Sequence, residues 1–147
     1  MKLAVGMDHA AYALKEELLS FLRALGHTVV DKGTGDASSC DYPDFAAAVA
    51  RAVASGECDR GVLLCGTGIG MSIAANKIPG IRAALIGDEK SAELSRQHND
   101  ANVFCAGARL HPTLRIAELL KIWLSTPFEG GRHQRRVDKI SALEKRS

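Results

Sequence analysis

Short apolar runs alternate with amphipathic stretches along the whole chain, and this alternation constrains the fold more than any other feature. KLAVG from Lys2, GVLLC from Gly61 and NVFCAG from Asn102 have the length and composition of buried strands. Between such runs, apolar residues recur at helical spacing. Strands and helices that take turns imply right-handed crossovers. They predict a doubly wound α/β domain, with a five-stranded parallel sheet, helices on both faces and a further helix at the C-terminus.

Composition limits the possible functions of the chain. Its 147 residues fit one domain, and no repeat or linker divides residues 1–147. Lys plus Arg exceed Asp plus Glu by 19 − 17 = 2, which does not indicate a nucleic-acid partner. No apolar run approaches the roughly 18 residues of a membrane span. The four cysteines lack metal or redox spacing and the N-terminus lacks a signal-like block, so we expect a cytoplasmic protein with reduced thiols and no metal.

Parallel sheets bind ligands beyond the carboxyl ends of their strands. The candidates for chemistry are therefore the residues that follow the predicted strands: Asp8 and His9 after the first, Cys65 to Gly70 after the third, Asp88 after the fourth and Arg109 after the fifth. Arg132 and Arg136, in the basic C-terminal segment, are four residues apart on one helical face. That spacing suits them to hold a phosphate together.

The loop after the third strand carries the strongest local signal. Gly66, Gly68 and Gly70 alternate before a helix start, where unpaired backbone N–H groups can bind an anion. Cys65 faces that helix start, a position that favours the thiolate and suits a base or a nucleophile. The plainer interpretation is a tight turn with a buried cysteine, which is how we interpret Cys58 and Cys105.

A dinucleotide-binding loop is the main alternative. Gly66 and Gly68 open a helix, and Asp88 lies about 20 residues further on, as in nucleotide-binding βαβ units. However, Met71 occupies the position of the third glycine, and the motif follows the third strand instead of the first. This interpretation therefore ranks second.

Eight segments in order resemble the type B ribose-5-phosphate isomerases, in the family that also contains galactose-6-phosphate isomerase subunits. They are GMDHA, DKGT, DYPDFA, CGTGIGMSIAANK, GIRAAL, SRQHNDANV, GAR and EGGRHQRRV. The resemblance runs nearly end to end. It implies a Rossmann-like fold, a homodimer or dimer of dimers, no metal or organic cofactor, and interconversion of ribose 5-phosphate and ribulose 5-phosphate through a cis-enediolate.

The resemblance also implies roles for individual residues. Cys65 takes the place of the base, and His98 that of the acid that opens the sugar ring. We hypothesise that Thr67 carries the hydroxyl proton between O1 and O2. The expected substrate-binding residues are Asp8, His9, Tyr42, Gly66, Thr67, Gly68, Ile69, Gly70, Asn99, Arg109, Arg132 and Arg136.

One geometric inference concerns the subunits. His98 precedes the fifth strand and Cys65 follows the third, so the two lie at opposite edges of the sheet, about 16 Å apart. We therefore predict that His98 and Asn99 enter the site from a partner chain. The sequence leaves open a six-carbon substrate such as allose or galactose 6-phosphate, because pocket width depends on Tyr42 and Met71. A small dinucleotide-binding oxidoreductase and a non-catalytic phosphosugar-binding module also stay open.

Overall fold

A five-stranded parallel sheet forms the centre of the computed structural model, which describes residues 1–145. The strands lie in the order β2-β1-β3-β5-β4, and all four pairings are parallel. Their bounds are β1 Lys2–Met7, β2 Thr28–Asp31, β3 Arg60–Cys65, β4 Ala83–Leu85 and β5 Val103–Gly107. The predicted doubly wound α/β fold is confirmed.

Residues 1–145 contain six α-helices, of which the first five cover the sheet on both faces. They are α1 Lys15–Ala24, α2 Tyr42–Ala54, α3 Ile69–Ala75, α4 Glu89–Gln97, α5 Thr113–Ser125 and α6 Arg132–Ala142. Right-handed crossovers in this strand order place α1, α4 and α5 on one face and α2 and α3 on the other. Among these helices, none has the length and apolar composition needed to cross a membrane.

After the first residues of β1 and β3, the central strands are apolar and buried because helices cover both of their faces. On the face of α5, Trp123 is fully buried and meets Phe104 edge to face, with 5.7 Å between ring centroids. The guanidinium groups of Arg60 and Arg96 lie 5.2 Å and 5.9 Å from the Trp123 ring. Near the opposite face, Cys58 and Cys105 are buried as predicted, and burial raises the pKa of both thiols.

The helical spacing of Val137, Ile140 and Leu143 predicts that they face inward, and the last helix departs from this packing. Val137 is buried as expected, but Ile140 is 43% exposed and Leu143, just beyond the helix, is 77% exposed. The reason is that α6 lies on the outside of the α/β layers, where Ile140 borders a surface hollow next to Ile81 and Asn99 instead of the core. An apolar stripe in the sequence is thus left partly uncovered in the single chain.

Lys15 ties α1 to the segment after β2 and provides a test of stability. Its Nζ lies 2.6 Å from a carboxylate oxygen of Asp31 and donates to the carbonyl of Thr34 at 2.7 Å. Lys15→Met leaves both acceptors without this buried donor, so we expect the free energy of unfolding to fall by about 2 kcal/mol. Denaturant titration measures the change.

The matched control is Lys32→Met. Lys32 makes a more exposed ion pair with Glu57 at 3.3 Å, and its loss is expected to cost about 0.5 kcal/mol or less. Equal stability of the two variants would contradict a structural role for the Lys15 contacts.

Candidate active site

A cavity of about 450 Å³ opens at the carboxyl edge of the sheet. It lies beside the ends of β1 and β3. The chain leaves these two neighbouring strands toward opposite faces of the sheet, so the loops that follow them diverge. Ligands bind in the resulting crevice of such sheets. The residues that line it are Asp8, His9, Ala10, Tyr42, Cys65, Gly66, Thr67, Ile69, Gly70, Ile73 and Arg109. Three strand ends singled out in the sequence therefore meet at one cavity.

Cys65 is the last residue of β3 and lines this cavity, although only 5% of its surface is exposed. Its Sγ accepts a hydrogen bond from the backbone N–H of Gly68 at 3.2 Å. A donor at this distance stabilises negative charge on sulfur. The thiol is thus placed to accept a proton from a ligand in the cavity.

Two glycines of the loop after β3 pack too closely against their neighbours to carry a side chain. Gly68 has φ = +80°, and a Cβ there would lie 2.7 Å from the carbonyl carbon of Ala106. A Cβ on Gly70 would overlap the ring of Tyr42. This close packing lets the backbone N–H of Gly68 reach the sulfur, and it places the Tyr42 ring against the loop.

Gly68→Ala is expected to damage both the fold and the site. The left-handed backbone and the contact with β5 should together lower the free energy of unfolding by about 2 kcal/mol. Displacement of the N–H from Cys65 should lower activity as well. Gly87→Ala is the control: a Cβ there meets nothing within 4 Å, and we expect a change within about 0.5 kcal/mol. Wild-type activity in Gly68→Ala would show that the loop geometry is dispensable.

Asp8 and His9 follow β1 and are held by backbone donors. Asp8 is 6% exposed, and its Oδ1 accepts from the N–H of Ala10 at 3.0 Å. His9 Nδ1 accepts from the backbone N–H of Cys40 at 3.2 Å. Since Nδ1 is an acceptor, the neutral ring carries its proton on Nε2, which is then available to donate to a ligand. Cys40, to which the sequence assigned no role, sets this tautomer.

Arg109 and Thr67 supply polar groups at the exposed side of the cavity. The backbone N–H of Arg109 donates to the carbonyl of Gly66 at 3.0 Å. Its guanidinium lies over Gly66, since a Cβ at that glycine would be 3.2 Å from one of its nitrogens. Thr67 is exposed, and its Oγ1 accepts from the N–H of Ile69 at 3.3 Å. A positive charge and a hydroxyl thus border the loop.

Asp88 has a structural role instead of the ligand role considered for it. It caps α4: its Oδ1 accepts from the N–H of Ser91 at 2.7 Å, and the Ser91 hydroxyl oxygen accepts from the N–H of Asp88 at 3.2 Å. The hydrogen bond from the Ser91 backbone is the main reason why the pKa of Asp88 is below its usual value. It does not line the cavity.

His98, Asn99, Arg132 and Arg136 lie outside the cavity of their own chain. His98 ends α4, ahead of β5, whose first residue Val103 pairs with Gly61 and whose last residue Gly107 pairs with Cys65. The length of a strand, about 16 Å, therefore separates His98 from the cavity edge. Arg132 and Arg136 are exposed on α6. A single chain brings together the predicted residues of the strand ends and leaves these four apart.

Instead, His98 stacks on His133, with ring centroids 4.2 Å apart and planes 13° apart. Nε2 of His133 lies 3.4 Å from a carboxylate oxygen of Glu129. We call His98, His133 and Glu129 the histidine stack. Their ligand atoms lie within 4.8 Å of one another, a grouping that the sequence analysis did not identify. Imidazole lone pairs lie in the ring planes, however, and in nearly parallel rings they do not converge on one ion.

Comparison with known proteins identifies the family. The model of the Ribose/Galactose Isomerase family matches residues 3–140. Ribose-5-phosphate isomerase B of Escherichia coli K12 is 49% identical over 145 residues, which cover 99% of this chain and 97% of the relative. A solved ribose-5-phosphate isomerase B of Clostridium thermocellum superposes with a TM-score of 0.96 at 50% identity, over 98% and 97% of the two chains.

A further solved relative carries a sugar phosphate. Ribose-5-phosphate isomerase B of Mycoplasma genitalium, solved with bound ribulose 5-phosphate, has a TM-score of 0.95 and 41% identity, over 99% of this chain and 97% of that one. The similarity covers every strand and helix that builds the cavity. Together with the cysteine, the glycine loop and the arginine at the carboxyl edge, it shows that the chain belongs to the ribose/galactose isomerase family.

Proposed function

We propose that this chain interconverts ribose 5-phosphate and ribulose 5-phosphate through a cis-enediolate, with Cys65 as the base. The observation that carries the proposal is the position of the Cys65 sulfur, which lines the 450 Å³ cavity and accepts the N–H of Gly68 at 3.2 Å. The relatives named ribose-5-phosphate isomerase B, including the one with bound ribulose 5-phosphate, support the choice of substrate.

The chemistry consists of one carbon-bound proton moved between adjacent carbons. The Cys65 thiolate removes the proton from C2 of the open-chain aldose, and negative charge develops on the sugar oxygens. The same sulfur then returns a proton to C1. A general base of this kind contributes about two to four powers of ten in rate. A well-placed N–H donor to the developing oxyanion adds about 3 kcal/mol.

Thr67 is proposed to move the hydroxyl proton between O1 and O2. Its Oγ1 accepts from the N–H of Ile69, which leaves the hydroxyl hydrogen to donate to a substrate oxygen. His9 presents Nε2–H as a fixed donor because its Nδ1 is occupied by Cys40. Arg109 provides positive charge at the mouth of the cavity. Groups held in these places orient the sugar before the proton moves.

Ring opening needs an acid, and we propose that His98 of the partner subunit supplies it. Exposed apolar side chains flank the cavity and the neighbouring edge of the sheet: Ile69 is 49%, Ile73 58% and Leu85 45% exposed. Exposed apolar side chains of this kind favour contact with another copy of the chain. In a two-fold dimer the same surface of both subunits forms the interface. Each subunit would then contribute residues to the active site of the other.

In such a dimer Asn99, Arg132 and Arg136 of the partner subunit would accompany His98. The two arginines project from the exposed side of α6, and they are proposed to bind the substrate phosphate. A catalytic thiol must also stay reduced, so we propose the cytoplasm as the place of action.

The test is incubation with ribose 5-phosphate and no added nicotinamide or metal. We expect ribulose 5-phosphate to form, at a kcat/KM higher than for allose 6-phosphate or galactose 6-phosphate. Faster turnover of a six-carbon phosphate would move the proposal to the hexose alternative. Binding of the sugar phosphate, seen by calorimetry, without any ketose would favour a binding module and overturn the proposal.

A further inference from the structure

The histidine stack lies outside the cavity, and only His98 has been given a role in the reaction. We infer that His133, held by Glu129, is a positioning residue that fixes the imidazole of His98 for opening of the sugar ring. The inference rests on the proposed function, in which His98 acts as the acid in the partner's site. It adds a residue that touches His98 and not the substrate.

The contacts of His133 fix its own ring first. Its exposed fraction is 6%, and its Nε2 faces Glu129 at 3.4 Å. The backbone N–H of Glu129 donates to the carbonyl of Gln97 at 3.1 Å, which ties this segment to the last turn of α4. Glu129, which contacts His133, is therefore attached to the same end of α4 that carries His98.

The backbone that carries His98 is also fixed. Arg96, 5% exposed, donates to the carbonyl of Ala101 at 2.6 Å and to the carboxylate of Asp100 at 2.8 Å. Arg82 donates to the carbonyl of Asn99 at 3.1 Å. With the main chain held, the freedom left to the His98 ring is rotation about its Cα–Cβ and Cβ–Cγ bonds. Stacking on His133 opposes that rotation, because the ring would lose its facing partner.

The charge on His133 suits this role. Burial, together with the charges of His98, Arg132 and Arg136, lowers the pKa of His133 below the usual value of histidine, while Glu129 acts in the opposite direction. His133 is therefore neutral at neutral pH, and its ring places no positive charge against His98. When His133 takes up a proton at lower pH, its positive charge faces the His98 ring and the stack weakens.

Two variants separate the stacked ring from its polar contact with Glu129. His133→Gln can keep a donor to Glu129 but removes the stacked ring, whereas His133→Phe keeps a ring and removes the donor. The control is Gln134→Ala, whose side chain is exposed and bonds only to Asp138 on the same helix within residues 1–145.

Two reactions separate ring opening from proton transfer. Ribose 5-phosphate is cyclic and must be opened. Ribulose 5-phosphate cannot close a five-membered ring because its C5 oxygen carries the phosphate. Exchange of its C1 hydrogen with deuterium in heavy water, followed by NMR, therefore needs the base but no ring opening.

We expect His133→Gln to lower kcat for ribose 5-phosphate about tenfold, while the exchange at C1 stays within about twofold of wild type. His133→Phe should retain about half of the turnover or more, and the acid limb of its pH profile should move to lower pH because its ring cannot take up a proton beside His98. Gln134→Ala should behave as wild type in both reactions.

Three outcomes overturn the inference: unchanged ribose 5-phosphate turnover in His133→Gln, an equal loss of both reactions, which marks a purely structural role, or a His133→Phe profile identical to that of wild type. Failure of the proposed function looks different. In that case the wild-type protein forms no ribulose 5-phosphate, or Cys65→Ala still exchanges the C1 hydrogen.

Discussion

Replacement of Cys65 by alanine is expected to lower the turnover of ribose 5-phosphate by about three powers of ten. The change removes the one sulfur that lines the cavity and leaves the N–H of Gly68 without its acceptor. Because the same sulfur is proposed to serve both directions, exchange of the C1 hydrogen of ribulose 5-phosphate should fall with it. A coupled assay for turnover and an NMR assay for exchange measure the two losses.

Cys58→Ala is the matched control, since it makes the same chemical change at a buried thiol away from the cavity. It should cost some stability and leave both reactions unchanged. If Cys65→Ala keeps more than about one tenth of wild-type turnover, a base worth at least two powers of ten must be sought elsewhere.

Mixed dimers of two inactive variants should regain activity. The proposal is that each site uses Cys65 of one subunit and His98 of the other. A dimer of one Cys65→Ala chain and one His98→Ala chain then has one site with both changes and one site with neither. With random pairing half of the dimers are mixed, and each has one intact site. Activity should therefore return to about one quarter of wild type. Co-expression with two different affinity tags isolates the mixed species for assay.

The control for this experiment pairs Cys65→Ala with Arg109→Ala. Both side chains line the same cavity of one chain, so each site of a mixed dimer carries one of the two changes and no activity should return. No recovery with the His98→Ala pair would end the proposal of a shared site. Recovery with the Arg109→Ala pair would contradict the placement of Cys65 and Arg109 in one cavity of the same chain.

The strand-end residues could be predicted because they depend on topology alone. Asp8, Cys65 and Arg109 each come directly after a buried apolar run, and the carboxyl ends of parallel strands must lie at one edge. Hydrophobic pattern was enough to place them, and the cavity contains all three. The same argument correctly separated His98 from Cys65, since it requires only that one residue precedes a strand and the other ends a parallel strand.

Contacts made between loops were beyond such reasoning. The hydrogen bond from Cys40 to His9 and the stacking of His133 on His98 join residues 31 and 35 positions apart. Neither pair belongs to a repeating pattern. Asp88 follows a strand as a ligand would, yet its oxygens are used to cap a helix. Ile140 has the helical spacing of a buried residue but is partly exposed. A hydrophobic period predicts which face of a helix is apolar, but it does not show whether that face packs on the same chain or on another.

The surroundings of Trp123 have a practical consequence for all of these measurements. It is the single tryptophan of the sequence and is fully buried. Its backbone carbonyl accepts from the side chain of Arg60, the first residue of β3, so it sits toward the end of the sheet away from the cavity. Its fluorescence should shift to longer wavelength when the chain unfolds and stay unchanged when sugar phosphate fills the cavity. The protein thus contains an intrinsic optical reporter that registers loss of structure independently of ligand occupancy.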